Sequence, residues 1–237
     1  MQIQFLGTGG AFDYEYGNSA AWIKIRDKQI LLDCGNSIYA RLRETHLAEQ
    51  IDYILISHCH DDHVGSLTSL LLHQNYFATP PRKPTLLVPN PQFEQHLRSY
   101  LNYGIPNPDE YVVFAPLTDI EGLTAIDTFG EHIPGMPSFG YVFEDDRDIV
   151  IYSGDTGNPI TIFNSIPANT SKRIRIFHEM AFEHTDGLHV YYQDLMPYLD
   201  QYDIYAYHLD PRDEPADNKI PLVQHYPEFM LGSGMKE

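Results

Sequence analysis

The chain has 237 residues, enough to bury the core of one large domain, and is read as a single domain over 1–237. Its 33 acids against 15 bases give a net charge of −18, so its surface repels polyanions and a long nucleic-acid partner is disfavoured. Two cysteines, Cys34 and Cys59, are too few for a disulfide framework, and no apolar run of about 18 residues exists to span a membrane.

In chain order, QIQFLG (2–7) reads as a strand ending in the glycine turn GTGG. The opening residues lack a basic and then apolar leader, so the expectation is a cytoplasmic chain. AAWIKI (20–25) and QILLDCG (29–35) read as a hairpin around RDK. SIYARLRETHLAEQ (37–50) has helical spacing and leads into a buried strand, IDYILIS (51–57). GSLTSLLLHQ (65–74) reads as helix, PTLLVPN (84–90) as strand, and PQFEQHLRSYLNYG (91–104) as a helix begun by proline and stopped by glycine. YVVFAPL (111–117), LTAIDTF (123–129), FGYVFEDD (139–146) and DIVIYSG (148–154) are successive strands. The longest basic cluster, SKRIR (171–175), reads as a solvated strand entry. IRIF (174–177) is a strand, VYYQDLMPYL (190–199) a helix and DIYAYH (203–208) a final strand. Strands in both halves with helices between them predict a layered α/β domain.

One stretch nearly spells a metalloprotease motif. In HEMAFEH (178–184), however, His178 and His184 are six apart, whereas a zinc helix needs histidines at i and i+4. The stronger signal is SHCHDDH (57–63), which follows a buried strand and precedes a helix. His58 and His60 alternate in an extended segment and can share one side. Asp62 and His63 lie where the chain turns. Cys59, between two ligands, is expected to point away and pack.

This segment resembles the H-x-H-x-D-H signature of the metallo-β-lactamase superfamily, with His58, His60, Asp62 and His63 on the motif and Asp61 at an unassigned position. The resemblance continues through His132 in FGEHIPGMPSFGY, Asp155 in SGDTG and His208 in YAYHLDP, and so spans essentially the whole chain. It implies an αββα sandwich and two divalent metal ions. One would take His58, His60 and His132. The other would take Asp62, His63 and His208, with Asp155 bridging. Taken singly, His132 or His208 is more often an ordinary partly buried histidine, and Asp155 a turn residue. Their joint placement carries the assignment. Zinc suits these donors, and without a thiolate ligand manganese and iron also fit. Asp33, at a strand end near the site in this fold, either hydrogen-bonds a ligand histidine or forms a turn.

The superfamily's chemistry is broad, so the fold leaves the substrate open. HEMAFEH resembles the H-E-A-T-F segment of the tRNase Z-like branch, in which a second histidine follows; here that is His189 in GLHVYYQDL. By that resemblance Glu179 and His189 form a pair beside the metals. The resemblance implies metal ions that would activate a water toward phosphorus, with Asp62 helping to orient it and His189 protonating the leaving oxygen. The plainer alternative is that Glu179 caps or salt-bridges and His189 is a surface helix residue. Within PSFGY, Ser138 or Tyr141 is a weaker candidate to face a substrate phosphate, with core packing the competing role for the aromatic. Tyr191 and Tyr192 either stack on a base or pack their helix. His46, His73, His96, His178, His184 and His225 are assigned no role and are expected mostly at the surface.

True tRNase Z carries a long basic arm between the motifs held here by His132 and Asp155; only 22 residues separate them in this chain, among them the acidic FEDDRD. The chain thus resembles the arm-less cyclic-nucleotide phosphodiesterases of bacteria and phages, including viral proteins that degrade the pyrimidine cyclic nucleotides of Pycsar immunity. The expected substrate is a small phosphodiester. Alternatives are tRNA 3′-end processing, a lactonase or other carbonyl hydrolase, and a non-catalytic metal-dependent ligand-binding module. Relatives in this branch are commonly homodimers, and the aromatic-rich segment 73–111 is a candidate lid or interface.

Overall fold

The structure, a computed structural model, describes residues 1–232. Its first half runs β1 (Gln2–Gly7), β2 (Ala20–Ile25), β3 (Lys28–Leu32), α1 (Ile38–Glu44), β4 (Tyr53–Leu55), α2 (Asp61–Val64), α3 (Leu67–Tyr76), β5 (Thr85–Val88), α4 (Pro91–Asn102) and β6 (Val113–Pro116). The second half runs β7 (Leu123–Asp127), β8 (Phe139–Glu144), β9 (Asp148–Tyr152), α5 (Pro159–Asn164), β10 (Arg173–Glu179), α6 (Tyr192–Leu195) and β11 (Asp203–Tyr207). The first six strands form one sheet in sequence order. The others form a second, ordered β11-β10-β9-β8-β7. In the first sheet β1–β2–β3 pair antiparallel and β3–β4–β5–β6 parallel. In the second, β7–β8–β9 pair antiparallel and β9–β10–β11 parallel.

Strand periodicity explains the layering. Along β9, Val150 and Tyr152 face the cluster between the sheets, while Ile149 and Ile151 face a second cluster with Ile162 of α5 and Leu195 of α6. A strand buried on both faces reads as a continuous apolar run, as DIVIY does. Phe5 of β1 anchors the inner layer, its ring centroid 5.3 Å from Phe177 and 5.5 Å from Tyr207. On the outer face of the first sheet, Leu42, Leu70 and Leu97 carry α1, α3 and α4 into the same core. Helices thus cover both sheets in an αββα sandwich.

Several boundaries differ from the sequence reading, for local reasons. The helix expected over 37–50 stops at Glu44, and His46 takes φ 58°, off the helical path. The helix expected over 190–199 shrinks to α6 and then tightens into a 3₁₀ turn at Met196–Tyr198, where Pro197 has no N–H to continue it. Helix α5 was not anticipated. Its signals are the Asn158 cap, whose side chain accepts from Ile160 N, and Pro159 at the first helical position.

Both sheets direct their parallel strand ends to one edge. There β4 runs into His58–His63, β9 into Asp155, β10 ends on Glu179, and β11 runs into His208. The loop leaving β7 brings His132 to the same place. Open α/β sheets concentrate ligand sites at such carboxyl ends.

Candidate metal centre

Sequence-distant donors converge at this edge. The donor atoms of His58, His60 and His132 lie within 4.8 Å of one another, as do those of Asp62, His63, Asp155 and His208. His60 Nδ1 lies 3.0 Å from His58 Nε2 and 3.2 Å from His132 Nε2. In the second group, Asp155 Oδ2 is 3.3 Å from both His63 Nε2 and His208 Nε2. It is also 3.9 Å from His132 Nε2, so Asp155 reaches toward both groups. The seven residues assigned through the superfamily motif are therefore together.

Backbone conformation aims them. His208 takes φ 65°, which turns its ring out of the β11 line toward Asp62, 3.2 Å away. Gly154 takes φ 62° just before Asp155, and a Cβ there would lie 2.6 Å from Phe139 O. Asp33 takes both of its proposed roles, since it turns with φ 64° and accepts from His63 Nδ1 at 2.9 Å. The same carboxylate accepts from Ser57 N, Ser57 Oγ and Tyr152 OH. His132 Nδ1 likewise donates to Leu188 O at 2.7 Å. Holding Nδ1 this way leaves Nε2 of each ring for a ligand.

The residues fit a divalent cation. Asp155 Oδ1 is buried without a hydrogen-bond partner and His63 Nε2 without a well-aligned one. Burial without a partner costs about 1–3 kcal/mol per group, which a cation would offset. The electrostatics agree. Burial, reinforced by the neighbouring histidines, pushes His58 well below its usual value and keeps it neutral. Burial also opposes charge on Asp62 and Asp155, yet the surrounding imidazoles outweigh it and hold both carboxyls below the usual range. Burial opposes charge on His63 too, but Asp155 and Asp33 raise it.

Beside this set, His189 Nδ1 donates to Glu179 Oε2 at 2.9 Å. Glu179 Oε1 accepts from Val190 N at 3.1 Å and Thr156 N at 3.3 Å. Burial raises the Glu179 carboxyl, partly offset by its bond to His189. Burial works against charge on His189, but the Glu179 hydrogen bond and field win and raise it to about 9. His189 lines the cleft with His60, Asp62, His132 and His208. The arrangement therefore sets groups of candidate metal donors next to an imidazole whose pKa is raised, a combination suited to metal-dependent hydrolysis.

Other expectations are corrected. Ser138 is fully buried, accepting from Thr128 Oγ1 and donating to Thr128 O, and Tyr141 is fully buried, donating to Ile56 O. Neither has surface to offer a substrate. His178 is no surface residue. Strand alternation turns it away from Glu179 into the outer core, where its ring stacks on Phe163 and burial lowers it to about 4. His73 is buried as well, its Nδ1 meeting Tyr39 OH at 3.2 Å. Tyr192 packs its helix, while Tyr191 stacks on exposed His184. Segment 73–111 lines none of the donor cleft and meets its rim where Tyr100 OH donates to Asp61. Cys59 packs against the core and edges the cleft, its thiol raised to about 11 by burial. The sequence reading missed Glu131. Its carboxylate accepts from Thr156 Oγ1, Asn158 Nδ2 and Thr161 Oγ1, tying the His132 loop to the Asp155 loop. Only its position next to His132 hinted at this.

The sequence profile described as Anti-Pycsar protein Apyc1 matches residues 1–225. The chain belongs to this family. It is 30% identical over 225 residues to the Anti-Pycsar protein Apyc1 of Bacillus phage BSP38, covering 85% of each chain. Among solved structures, the human short-form tRNase Z superposes with a TM-score of 0.66 at 19% identity, covering 90% of this chain and 95% of that one. A metallo-β-lactamase-fold protein from Bacillus subtilis gives 0.64 at 16% identity, covering 87% and 85%. These place the family member in the metallo-β-lactamase fold.

Proposed function

We propose that this Apyc1-family chain is a metal-dependent phosphodiesterase acting on a small phosphodiester, a cyclic nucleotide. The observation that carries the reading is the Glu179–His189 pair, 2.9 Å apart, beside two groups of metal donors. Hydrolysis of a phosphodiester leaves an alkoxide that needs a proton, and a raised imidazole is a proton source. The family's Anti-Pycsar name and the arm-less spacing between His132 and Asp155 support a small substrate. In that interval lie only the His132 loop and the β8–β9 hairpin.

His58, His60 and His132 would hold one ion, and Asp62, His63 and His208 a second, with Asp155 shared. When bound, the ions neutralise phosphoryl charge and acidify a water near neutral pH. Glu179 fixes the His189 ring and keeps its proton. His189 then gives that proton to the departing oxygen, so water adds across one P–O bond and a phosphomonoester results. The ring regains its proton from solvent. Asp62, its carboxyl held ionised, helps orient the attacking water. Zinc as the ion, a cytoplasmic location and a homodimer belong to the same reading. Metal analysis and light scattering check the first and last.

The deciding experiment incubates protein loaded with zinc or manganese with 2′,3′- and 3′,5′-cyclic nucleotides, bis(p-nitrophenyl) phosphate, a lactone and precursor tRNA. Turnover of a cyclic nucleotide is expected. Specific cleavage of precursor tRNA at its 3′ boundary, or turnover of the lactone alone, would overturn the proposal. No turnover of any compound would assign the chain to ligand binding.

A further inference from the structure

The sequence reading takes GTGG at the start of the loop between β1 and β2 as a glycine turn and gives Phe12 and Tyr14 no role. At its tip Phe12 is 90% and Tyr14 93% exposed. Both rings line the cleft of about 700 Å³ that contains His60, Asp62, His189 and His208. No other exposed aromatic among the described residues lines that cleft. Its size falls within the roughly 300–1,000 Å³ of small-molecule sites.

The backbone of the loop is tied down at several points. Its neck is closed by Gly9 N donating to Gly17 O at 2.8 Å. Asp13 Oδ1 accepts from both Glu15 N and Tyr16 N at 2.9 Å, bending the chain so that Tyr14 projects. Glu15 is fastened from outside, by Arg212 to its carboxylate and by Arg41 to its carbonyl, each at 3.0 Å. The base of the loop is joined to the metal donors themselves, since His208 N donates to Thr8 O at 2.7 Å. Two large rings at the tip of a loop tied at its base bury almost no area in the fold. They face a cleft whose floor is polar and charged.

We propose that Phe12 and Tyr14 form the stacking platform for the heterocyclic base of the substrate; this rests on the phosphodiesterase reading above. The charged phosphoryl end belongs among the imidazoles and carboxylates at the floor. The base, planar and apolar on its faces, then lies against the aromatic wall. Every base has such a face, so the platform favours nucleotides as a class.

The test measures binding to the metal-loaded full chain by calorimetry, comparing nucleoside 5′-monophosphates with ribose 5-phosphate. Wild type should bind the nucleoside ligands on the order of 10-fold or more tighter, as base–aromatic stacking supplies. The Phe12→Ala/Tyr14→Ala variant should lose that preference, and Phe12→Trp should keep it. With a cyclic nucleotide, KM should rise in the double-alanine variant while kcat holds. No preference in wild type, or a preference that survives in the double variant, overturns the platform. So does a change of oligomeric size in that variant with the preference intact, which would give the loop to a second copy of the chain. If the preference behaves as expected but no cyclic nucleotide is hydrolysed, the platform stands and the phosphodiesterase reading falls.

Discussion

The two sides of the cleft are held in opposite ways. On the metal side, Asp155 Oδ1 is buried with no hydrogen-bond partner, and His63 Nε2 is buried with no well-aligned one, only the Asp62 and Asp155 carboxylates at 3.3 Å. On the acid–base side, both Glu179 oxygens are engaged, by His189 Nδ1 on one and by two backbone N–H groups on the other. A buried polar atom without a partner is costly, so such atoms mark where a ligand belongs. Glu179 already accepts three hydrogen bonds of the roughly four its carboxylate can take. Its work is to orient and charge its neighbour. The contrast matches the proposed division between residues that would hold the ions and residues that would manage the proton.

The largest effect should come from the unpartnered side. His63→Ala removes a donor shared with Asp62 and Asp155, so bound metal, read by plasma mass spectrometry, should fall and turnover should drop to background. A variant with full metal content and activity would erase the distinction. On the other side, His189→Ala should lower kcat by roughly 10²- to 10⁴-fold, the usual worth of a positioned proton donor, at unchanged metal content. Metal loss in that variant would move His189 among the ligands.

Much of this contrast was legible before any coordinates, but unevenly. The cluster of candidate donors was readable because motif chemistry forces a rare residue order, histidines alternating at a strand end and then a carboxylate at a helix start. The layered fold followed from apolar runs such as DIVIY. Glu179 needed the resemblance, since HEMAFEH reads equally as a failed zinc motif. His178 was misjudged because a polar residue next to the site was assumed to face water. Strand alternation instead sends it into the apolar layer under Phe163. Ser138 and Tyr141 failed for a similar reason. Their hydrogen bonds go to Thr128 and Ile56, partners distant enough in sequence that no local pattern names them. Phe12 and Tyr14 carry no role in the sequence reading, although GTGG reads as a turn, because nothing in a turn's composition says which way its tip will point.

A smaller effect sharpens the proton-managing side. His189 donates only while protonated, that is, below its own pKa. Glu179 raises that value to about 9 against the opposing effect of burial, and bound cations pull it down from there. Turnover should therefore hold through neutral pH and fall as the pH rises through this value. In Glu179→Gln the raising charge is gone. The falling limb should shift toward the ordinary histidine value of 6.5 in a kcat–pH profile. A limb that stays in place would mean that another group supplies the proton.

The smallest effect on catalysis is expected where the sequence had suggested substrate contact. Ser138 Oγ donates to Thr128 O at 2.7 Å and accepts from Thr128 Oγ1 at 3.0 Å, fully buried at the start of β8. Ser138→Ala strands the Thr128 hydroxyl, while Thr128 O keeps its bond from Glu131 N at 3.0 Å, at a cost of about 1–3 kcal/mol in unfolding free energy. Thr128 lies on the loop that carries His132, so the loss is one of stability in the frame that aims a ligand. Denaturant titration should register it while KM for the substrate stays as in wild type. A raised KM with undiminished stability would return Ser138 to the cleft, and with it the idea that a hydroxyl, besides the metal donors, meets the phosphate.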